Sequence, residues 1–218
     1  MRHLHFEKCT STFNEFEAHY SETPLLVSAE RQVQGEGQYG RHWFSADQGL
    51  ALTFDLPLNP TPTLTSLEVA VLLCNFFTER FQKKISLKWP NDLLIEGKKV
   101  GGILIKNRNV PMVGIGINLY HNETIPIELQ EKFGHLFESR LKLNLKELHF
   151  DLCMSIRSHR LTSELVVDQW NKLCSHINQM VMIKTETKET LGQFKGINAE
   201  GAAMIDDKLH YSGSLILK

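Results

Sequence analysis

Apolar and polar positions fall into short alternating runs over much of the chain, and each run is closed by a recognisable turn. Leu4–Phe6 is a short strand and Leu25–Ala29 a continuous apolar run of the buried type. Gln48–Leu56 is a third strand, ended by Pro57 and the Pro60–Pro62 turn. Ile85, Leu87 and Trp89 alternate and stop at Pro90, which lacks an N–H and holds its predecessor extended. Asn91 and Asp92 supply turn chemistry, and Leu93–Ile95 and Val100–Ile105 flank Glu96-Gly97-Lys98-Lys99, a hairpin signal. Met112–Leu119 reads as a buried strand whose glycines strip side chains from one face.

The period becomes helical after Ser11-Thr12, either of whose hydroxyls suits an N-cap, from Phe13 to about Tyr20. Thr65-x-x-Glu68 has the form of a capping box, and Leu67, Val71, Leu72, Phe76 and Phe77 then recur to about Gln82 as a core-packing helix. His121–Lys142 is irregular. Asn144-x-x-Glu147 opens a helix with Leu145, Leu148, Leu152 and Ile156 on one stripe, and another spans Leu165–Leu173. From about Met180 short strands return, near Gly192–Ile197, Ala202–Ile205 and Leu215–Leu217, at the spacing of a small barrel.

Composition narrows the class without naming a function. The 218 residues suit one large domain and a small one, and 42% hydrophobic with 22% charged residues is ordinary for a globular protein. A net charge of −1 points to no sequence-independent nucleic-acid or membrane surface. Cys9, Cys74, Cys153 and Cys174 form no CxxC pair and read as reduced thiols of a cytoplasmic protein. His3 and His5 alternate on one strand with no third ligand placed beside them, which favours a structural role. No signal-peptide core or membrane-length apolar run is present.

Candidate chemistry concentrates in two places. Lys88 ends a strand, a rigid position from which to aim one charge. Gly35, Gly37 and Gly40 spell GxGxxG, with Asp55 twenty residues beyond Gly35. A dinucleotide fingerprint needs a strand directly before these glycines and a helix directly after. Polar residues precede the glycines and Arg41–Gly49 has no helical period, so we reject that reading. The segment is instead a glycine loop that can offer backbone N–H groups to phosphate oxygens and close over an intermediate.

Leu87–Asn107, LKWPNDLLIEGKKVGGILIKN, resembles the KWPND…GKK…GGIL signature of biotin protein ligases. Ser11 and Thr12 resemble that family's STN-like motif, with Phe13 where Asn is usual. Gln32, Gly35, Gly37, Arg41 and Trp43 fit its GRGRxGRxW segment, which has arginines where this chain has Glu36 and Gln38. GIGIN, ending in Asn118, and GINAEGAAMI near the C-terminus resemble two further family segments.

The resemblance implies an α+β fold: a mixed sheet flanked by helices over residues 1–178, then an SH3-like barrel over 179–218. The family's optional N-terminal DNA-binding domain is expected to be absent. The implied activity is ATP-dependent: biotin and MgATP give biotinyl-5′-AMP, and a lysine of a biotin carboxyl carrier domain then takes the acyl group. Lys88 and Arg41 would be catalytic. Ser11, Thr12, Gln32, Gly35, Glu36, Gly37, Gln38, Lys88, Gly101, Gly102, Gly114 and Gly116 would bind biotin. Arg41, Trp43, Lys88 and Asn118 would bind ATP. Mg2+ would ride on the phosphates with unassigned protein ligands, and the enzyme would be a monomer or homodimer.

Two alternatives stand beside it: a lipoate or octanoate ligase of the same fold, and a catalytically weak pseudo-ligase that holds biotin or the carrier. The second is suggested by Glu36 and Gln38. Their presence predicts weaker retention of the adenylate, unless Arg31, Lys98 or Lys99 supplies the missing charge.

Overall fold

A computed structural model describes residues 1–121, 126–127, 130–185 and 188–217. In chain order the first elements are β1 (Arg2–Cys9), α1 (Thr12–His19), β2 (Leu25–Gln32), β3 (Gly35–Glu36), β4 (His42–Trp43) and β5 (Gln48–Asp55). Next come α2 (Thr65–Phe81), β6 (Ser86–Lys88), β7 (Asp92–Ile95), β8 (Lys98–Asn107) and β9 (Pro111–Tyr120). The chain closes with α3 (Leu145–Ser158), α4 (Ser163–Leu173), β10 (Met180–Lys184), β11 (Glu189–Ile197), β12 (Ala203–Ile205), β13 (Lys208–His210) and β14 (Ser214–Leu217). The expected strands and helices all form, mostly a few residues longer; β13 went unread because Lys208-Leu209-His210 offers one apolar position. The irregular stretch His121–Lys142 lies partly outside the described residues.

The chain forms two compact units, Met1–Pro57 with Leu94–His159, and Leu58–Leu93 with Arg160–Lys218. In the first unit the strand order is β1-β2-β5-β9-β8, with the end of β7 beside β8. β1 and β2 run parallel and the remaining pairs antiparallel, so the sheet is mixed as expected. Glu96 and Gly97 both take positive φ, 50° and 77°, the geometry of a two-residue hairpin turn between β7 and β8.

Side chains alternate across this sheet. Helix α3 packs on the face carrying His3, His5 and Ser28, where His5 and the buried His149 ring lie 5.5 Å apart. His3 Nε2 and His5 Nδ1 both reach Ser28 Oγ, at 2.8 and 2.9 Å. Burial lowers the His3 pKa to about 4 and the His149 pKa to about 3, which keeps both neutral and suits a packing role.

Helix α1 covers the opposite face, where Phe13, Phe16, Leu25, Val27 and Met112 form a core cluster. Phe13 enters it only because residue 114 is glycine: a Cβ there would stand 2.3 Å from the Phe13 ring. The start of α1 departs from expectation. Ser11 occupies the N-cap position, yet its side chain makes no capping bond.

In the second unit β6 lies beside the start of β7, and α2 packs with α4. A separate antiparallel sheet, β13-β12-β11-β10-β14, encloses Val181, Ile183, Phe194, Ile197, Ala203, Ile205 and Leu215. The expected capping box of α2 does not form. Leu64 is the N-cap, and the Thr65 hydroxyl donates instead to Pro62 O at 2.8 Å. Glu68, with no exposure, pairs with Arg160 through Nε at 2.7 Å and Nη2 at 2.8 Å. It also accepts from Leu161 N at 2.8 Å and Asn59 Nδ2 at 3.0 Å. Glu68 is thus a tie between distant segments, which its local motif could not announce.

All four cysteines are free thiols. Among the described residues no helix is long and apolar enough to cross a membrane.

Two stability predictions follow from this packing. Burial alone would push the Glu68 carboxyl up, but hydrogen bonds from Arg160, Leu161 and Asn59 outweigh it and hold the pKa below its usual range. The associated stability is present above the unfolded value, about 4.3, and lost as pH falls through the folded value. Arg160→Met, which strands the carboxylate, is expected to cost about 3–5 kcal/mol in urea unfolding at pH 7. That loss should shrink at pH 3, and a pH-independent loss would contradict the ion-pair account. Gly114→Ala should cost about 1–3 kcal/mol by overpacking against Phe13. Phe13→Leu in the same chain should recover part of that loss; if thermal unfolding shows no recovery, the ring is not the obstacle.

Candidate functional site

The α1-covered face of the first unit carries a row of small residues. Registers place Ala29 opposite Ala51, Ala51 opposite Gly116, and Gly116 opposite Gly102. Four neighbouring strands therefore present nothing larger than a methyl group along one row, leaving a trench across the sheet. Phe13 stands over Gly114 on one side of this row. Gly49 and Asn118 form the next register pair on the other side. Gly102 belongs to the trench row, whereas Gly101 pairs with Ile117 and so falls on the opposite face.

Hydrogen-bonding groups gather beside the apolar floor. Thr53 Oγ1 donates to Thr12 Oγ1 at 2.8 Å. Thr12 Oγ1 in turn donates to Gln32 Oε1 at 3.1 Å, and Thr12 N donates to the same oxygen at 2.8 Å. Gln32 N donates to Ser45 Oγ at 3.1 Å. Among the buried side-chain atoms that find no partner among the described residues are Ser11 Oγ and Asn118 Oδ1, each on a side chain 1% exposed. Asn118 Nδ2 donates to Gly134 O at 3.4 Å. Buried polar atoms are rarely left unsatisfied, and an orphaned hydroxyl costs stability unless a ligand completes it.

The glycine loop forms a flap. Gly35 and Glu36 pair antiparallel with Trp43 and His42, and Gly37 N donates to Arg41 O at 2.7 Å. This hairpin is incompatible with a dinucleotide fingerprint. Asp55, which stood at that fingerprint's acidic position, is instead paired with Arg157 at 2.7 Å and accepts from Leu25 N. The flap's tip turns through Tyr39 at φ 57° and Gly40 at φ 68°. Gly35 must be small because a Cβ there would stand 2.9 Å from Trp43 O.

Trp43 lies over Gly116, where a Cβ would meet its ring at 2.6 Å, and the Lys99 ammonium is 5.8 Å from the indole centroid. The room at Gly114 and Gly116, expected to admit a ligand to the backbone, is thus occupied in part by Phe13 and Trp43. Arg41 and Gln38 both lie on the flap, with the Arg41 guanidinium 5.9 Å over the Tyr39 ring.

Glu36 is held in an ion pair. Its partner is Lys106, at 2.7 Å, whose ammonium also sits 4.2 Å over the Phe13 ring. Strand alternation in GGILIK places Lys106 on the same face as Gly102 and Leu104, a signal available in the sequence but not used. The same applies to Thr53 on β5. Arg31 borders a cavity of about 220 Å3 with Lys8 and His42, which Gln32 and Ser45 of the hydrogen-bond run also line.

Lys88 belongs to the second unit. It ends β6, a quarter exposed, with its ammonium 3.6 Å from Asp92. Its strand is fixed by the chain on both sides: Leu87 bridges Cys174, Leu87 O accepts from Ser175 N at 3.2 Å, and Trp89 Nε1 donates to Gly201 O at 3.0 Å. The fully buried His176 is kept neutral, its pKa lowered to about 4 by burial and by the Lys88 charge. Among the described residues no three His, Cys, Asp or Glu side chains gather as a metal site.

Comparison with known proteins agrees with this geometry. The chain is 28% identical over 196 residues to the Escherichia coli bifunctional ligase/repressor BirA, covering 82% of this chain and 60% of that protein. It is 25% identical over 199 residues to the biotin–[acetyl-CoA-carboxylase] ligase of Paracoccus denitrificans, covering 82% of each. The biotin protein ligase of Aquifex aeolicus, solved with biotin and ATP, shares the fold with a TM-score of 0.83 at 23% identity, over 100% of this chain and 98% of that one. Residues 4–122, which carry the trench, the flap and the buried hydroxyls, match the model of the biotin/lipoate A/B protein ligase family, and the chain belongs to that family.

Proposed function

We propose that the protein is a biotin protein ligase: it joins biotin to ATP as biotinyl-5′-AMP and then transfers the biotinyl group to a lysine of a biotin carrier domain. The observation that carries this reading is the unpartnered Ser11 hydroxyl beside the Thr53–Thr12–Gln32 chain. Gln32 Oε1 already accepts two bonds, while Thr12 Oγ1 keeps a lone pair, the Gln32 amide keeps its donors and Ser11 Oγ can donate or accept. A cyclic urea, with one carbonyl and two N–H groups, matches this complement. The dithiolane of lipoate or the alkyl chain of octanoate would leave it unsatisfied, at a cost that favours biotin over both.

In the first step a biotin carboxylate oxygen attacks the α-phosphorus of ATP and pyrophosphate leaves; Mg2+, when bound, would neutralise charge on the phosphates. Two anions must meet, so fixed positive charge is needed. Lys88 is the residue proposed for that task, and Arg41, on the flap, for the outer phosphates. Asn118 Oδ1, buried and unpartnered, is proposed as an acceptor for the nucleotide, with Trp43 as its stacking surface. In the second step the carrier's lysine nitrogen attacks the acyl carbon, the amide forms, AMP departs and the amine loses a proton. The five-stranded sheet of Met180–Leu217 is proposed as an SH3-like module supporting Lys88 through the Trp89–Gly201 bond.

Incubation with MgATP, labelled biotin and a biotin carrier domain tests the reading, and label on the carrier lysine is expected. Octanoyl or lipoyl transfer without biotin transfer would favour the runner-up, and biotin binding without adenylate formation would mark a pseudo-ligase. Lys88→Ala should remain folded and lose roughly 10²–10³-fold in biotin-dependent ATP–pyrophosphate exchange. Near-normal exchange would remove Lys88 from the mechanism. Ser11→Ala should weaken biotin binding roughly five- to tenfold by calorimetry while leaving thermal stability equal or higher, because it deletes an orphaned buried hydroxyl. A loss of stability with unchanged biotin affinity would make Ser11 structural.

A further inference from the structure

Phe13 and Glu36 are two of the motif positions at which the chain departs from its family's pattern, and they lie far apart in sequence. In space they are consecutive members of one stack. Gly114 on β9 leaves room for the Phe13 ring, whose carbons would come within 2.3–2.4 Å of a Cβ. The Lys106 ammonium lies 4.2 Å from the centroid of that ring. Glu36, on the flap, closes the stack by accepting from Lys106 at 2.7 Å. The column runs from the sheet floor to the glycine loop.

We infer that Lys106 is a positioning residue for the glycine loop: standing on Phe13, it latches the flap through Glu36. An ammonium on an aromatic face, in a side chain 19% exposed, is restricted before it meets its carboxylate. The pair therefore gives up less side-chain freedom than a free surface pair, whose entropy cost leaves it nearly neutral. The latch places a cation on β8 where the family pattern places arginines on the loop, and the loop carries the complementary anion. Retention of the acyl-adenylate then depends on the latch holding the flap shut, rather than on loop arginines gripping the ligand.

Retention rests on the ligase reading; the latch does not, so two measurements separate them. Amide hydrogen exchange over residues 34–40 is measured on the protein without ligand, for wild type, Lys106→Met, Glu36→Gln and the double variant. Each single substitution should speed exchange roughly three- to tenfold, and the double should be no faster than the worse single, because the two residues act as one pair. Lys106→Arg, which preserves both contacts, should exchange like wild type. The reversed pair, Glu36→Lys with Lys106→Glu, should recover only a small part of the protection, because a carboxylate cannot stand on the Phe13 ring. Unchanged exchange in both single variants, or fully additive effects in the double, would overturn the latch. The release rate of biotinyl-AMP should rise in the same order as the exchange rates. If exchange follows the expected pattern while no adenylate is formed, the latch stands and the ligase reading fails. If adenylate release ignores variants that open the flap, the proposed dependence of retention on the latch is wrong.

Discussion

Two absent methyl groups on β9 set the arrangement of the first unit. Gly114 and Gly116 lie on the same face of one strand, and each is roofed by an aromatic ring that a Cβ would strike, Phe13 and Trp43 respectively. Phe13 brings the start of helix α1 down onto the sheet, and with it Ser11 and Thr12. Trp43 brings down the flap. Ala29, Ala51, Gly116 and Gly102 line up because the registers of four strands align small residues across the sheet, and Trp43 roofs that row at Gly116. A larger residue at any of these positions would change the helix, the flap and the trench together, since close-packed interiors transmit a misfit rather than absorb it.

Polar groups are arranged around that bare strip by the same logic of satisfaction. Most buried hydrogen-bonding atoms here are paired within the chain, as the Thr53–Thr12–Gln32 run illustrates. Ser11 Oγ and Asn118 Oδ1 are exceptions, and both belong to the trench side of the sheet. A fold that leaves such atoms buried forgoes stability, and the offset comes when a ligand supplies the missing partner. Charge is handled by fixing it to rigid elements. Lys88 sits at a strand end held by backbone bonds to residues 174 and 175 and by the Trp89 indole. Lys106 stands on a strand and is restrained by a ring and a carboxylate.

Where the sequence was misread, a distant partner had intervened. Thr65-x-x-Glu68 has the local form of a capping box, but Arg160 and Leu161, more than ninety residues away, take the Glu68 carboxylate and the helix begins without it. Ser11 occupies the N-cap position and withholds its hydroxyl. The Glu68 carboxylate is taken up by tertiary partners, whereas the Ser11 hydroxyl is buried with no partner among the described residues. Glu36 is met by Lys106, seventy residues along the chain.

By itself the sequence determined the elements and the family. Alternation, prolines and glycine turns give strands and helices their positions because they act within a few residues, and the KWPND, GIGIN and glycine-loop segments are specific strings. It also placed Gly114, Gly116, Thr53 and Lys106 on inward positions of their strands, since alternation has a period of two. Only the tertiary structure decided which inward positions meet. Whether Ala29 stands beside Gly102 depends on the registers of three strand pairs, and a shift of one residue would turn each face over. The trench, the stack from Gly114 to Glu36 and the orphaned hydroxyl at Ser11 all follow from those registers, so they became legible only once the sheet was assembled.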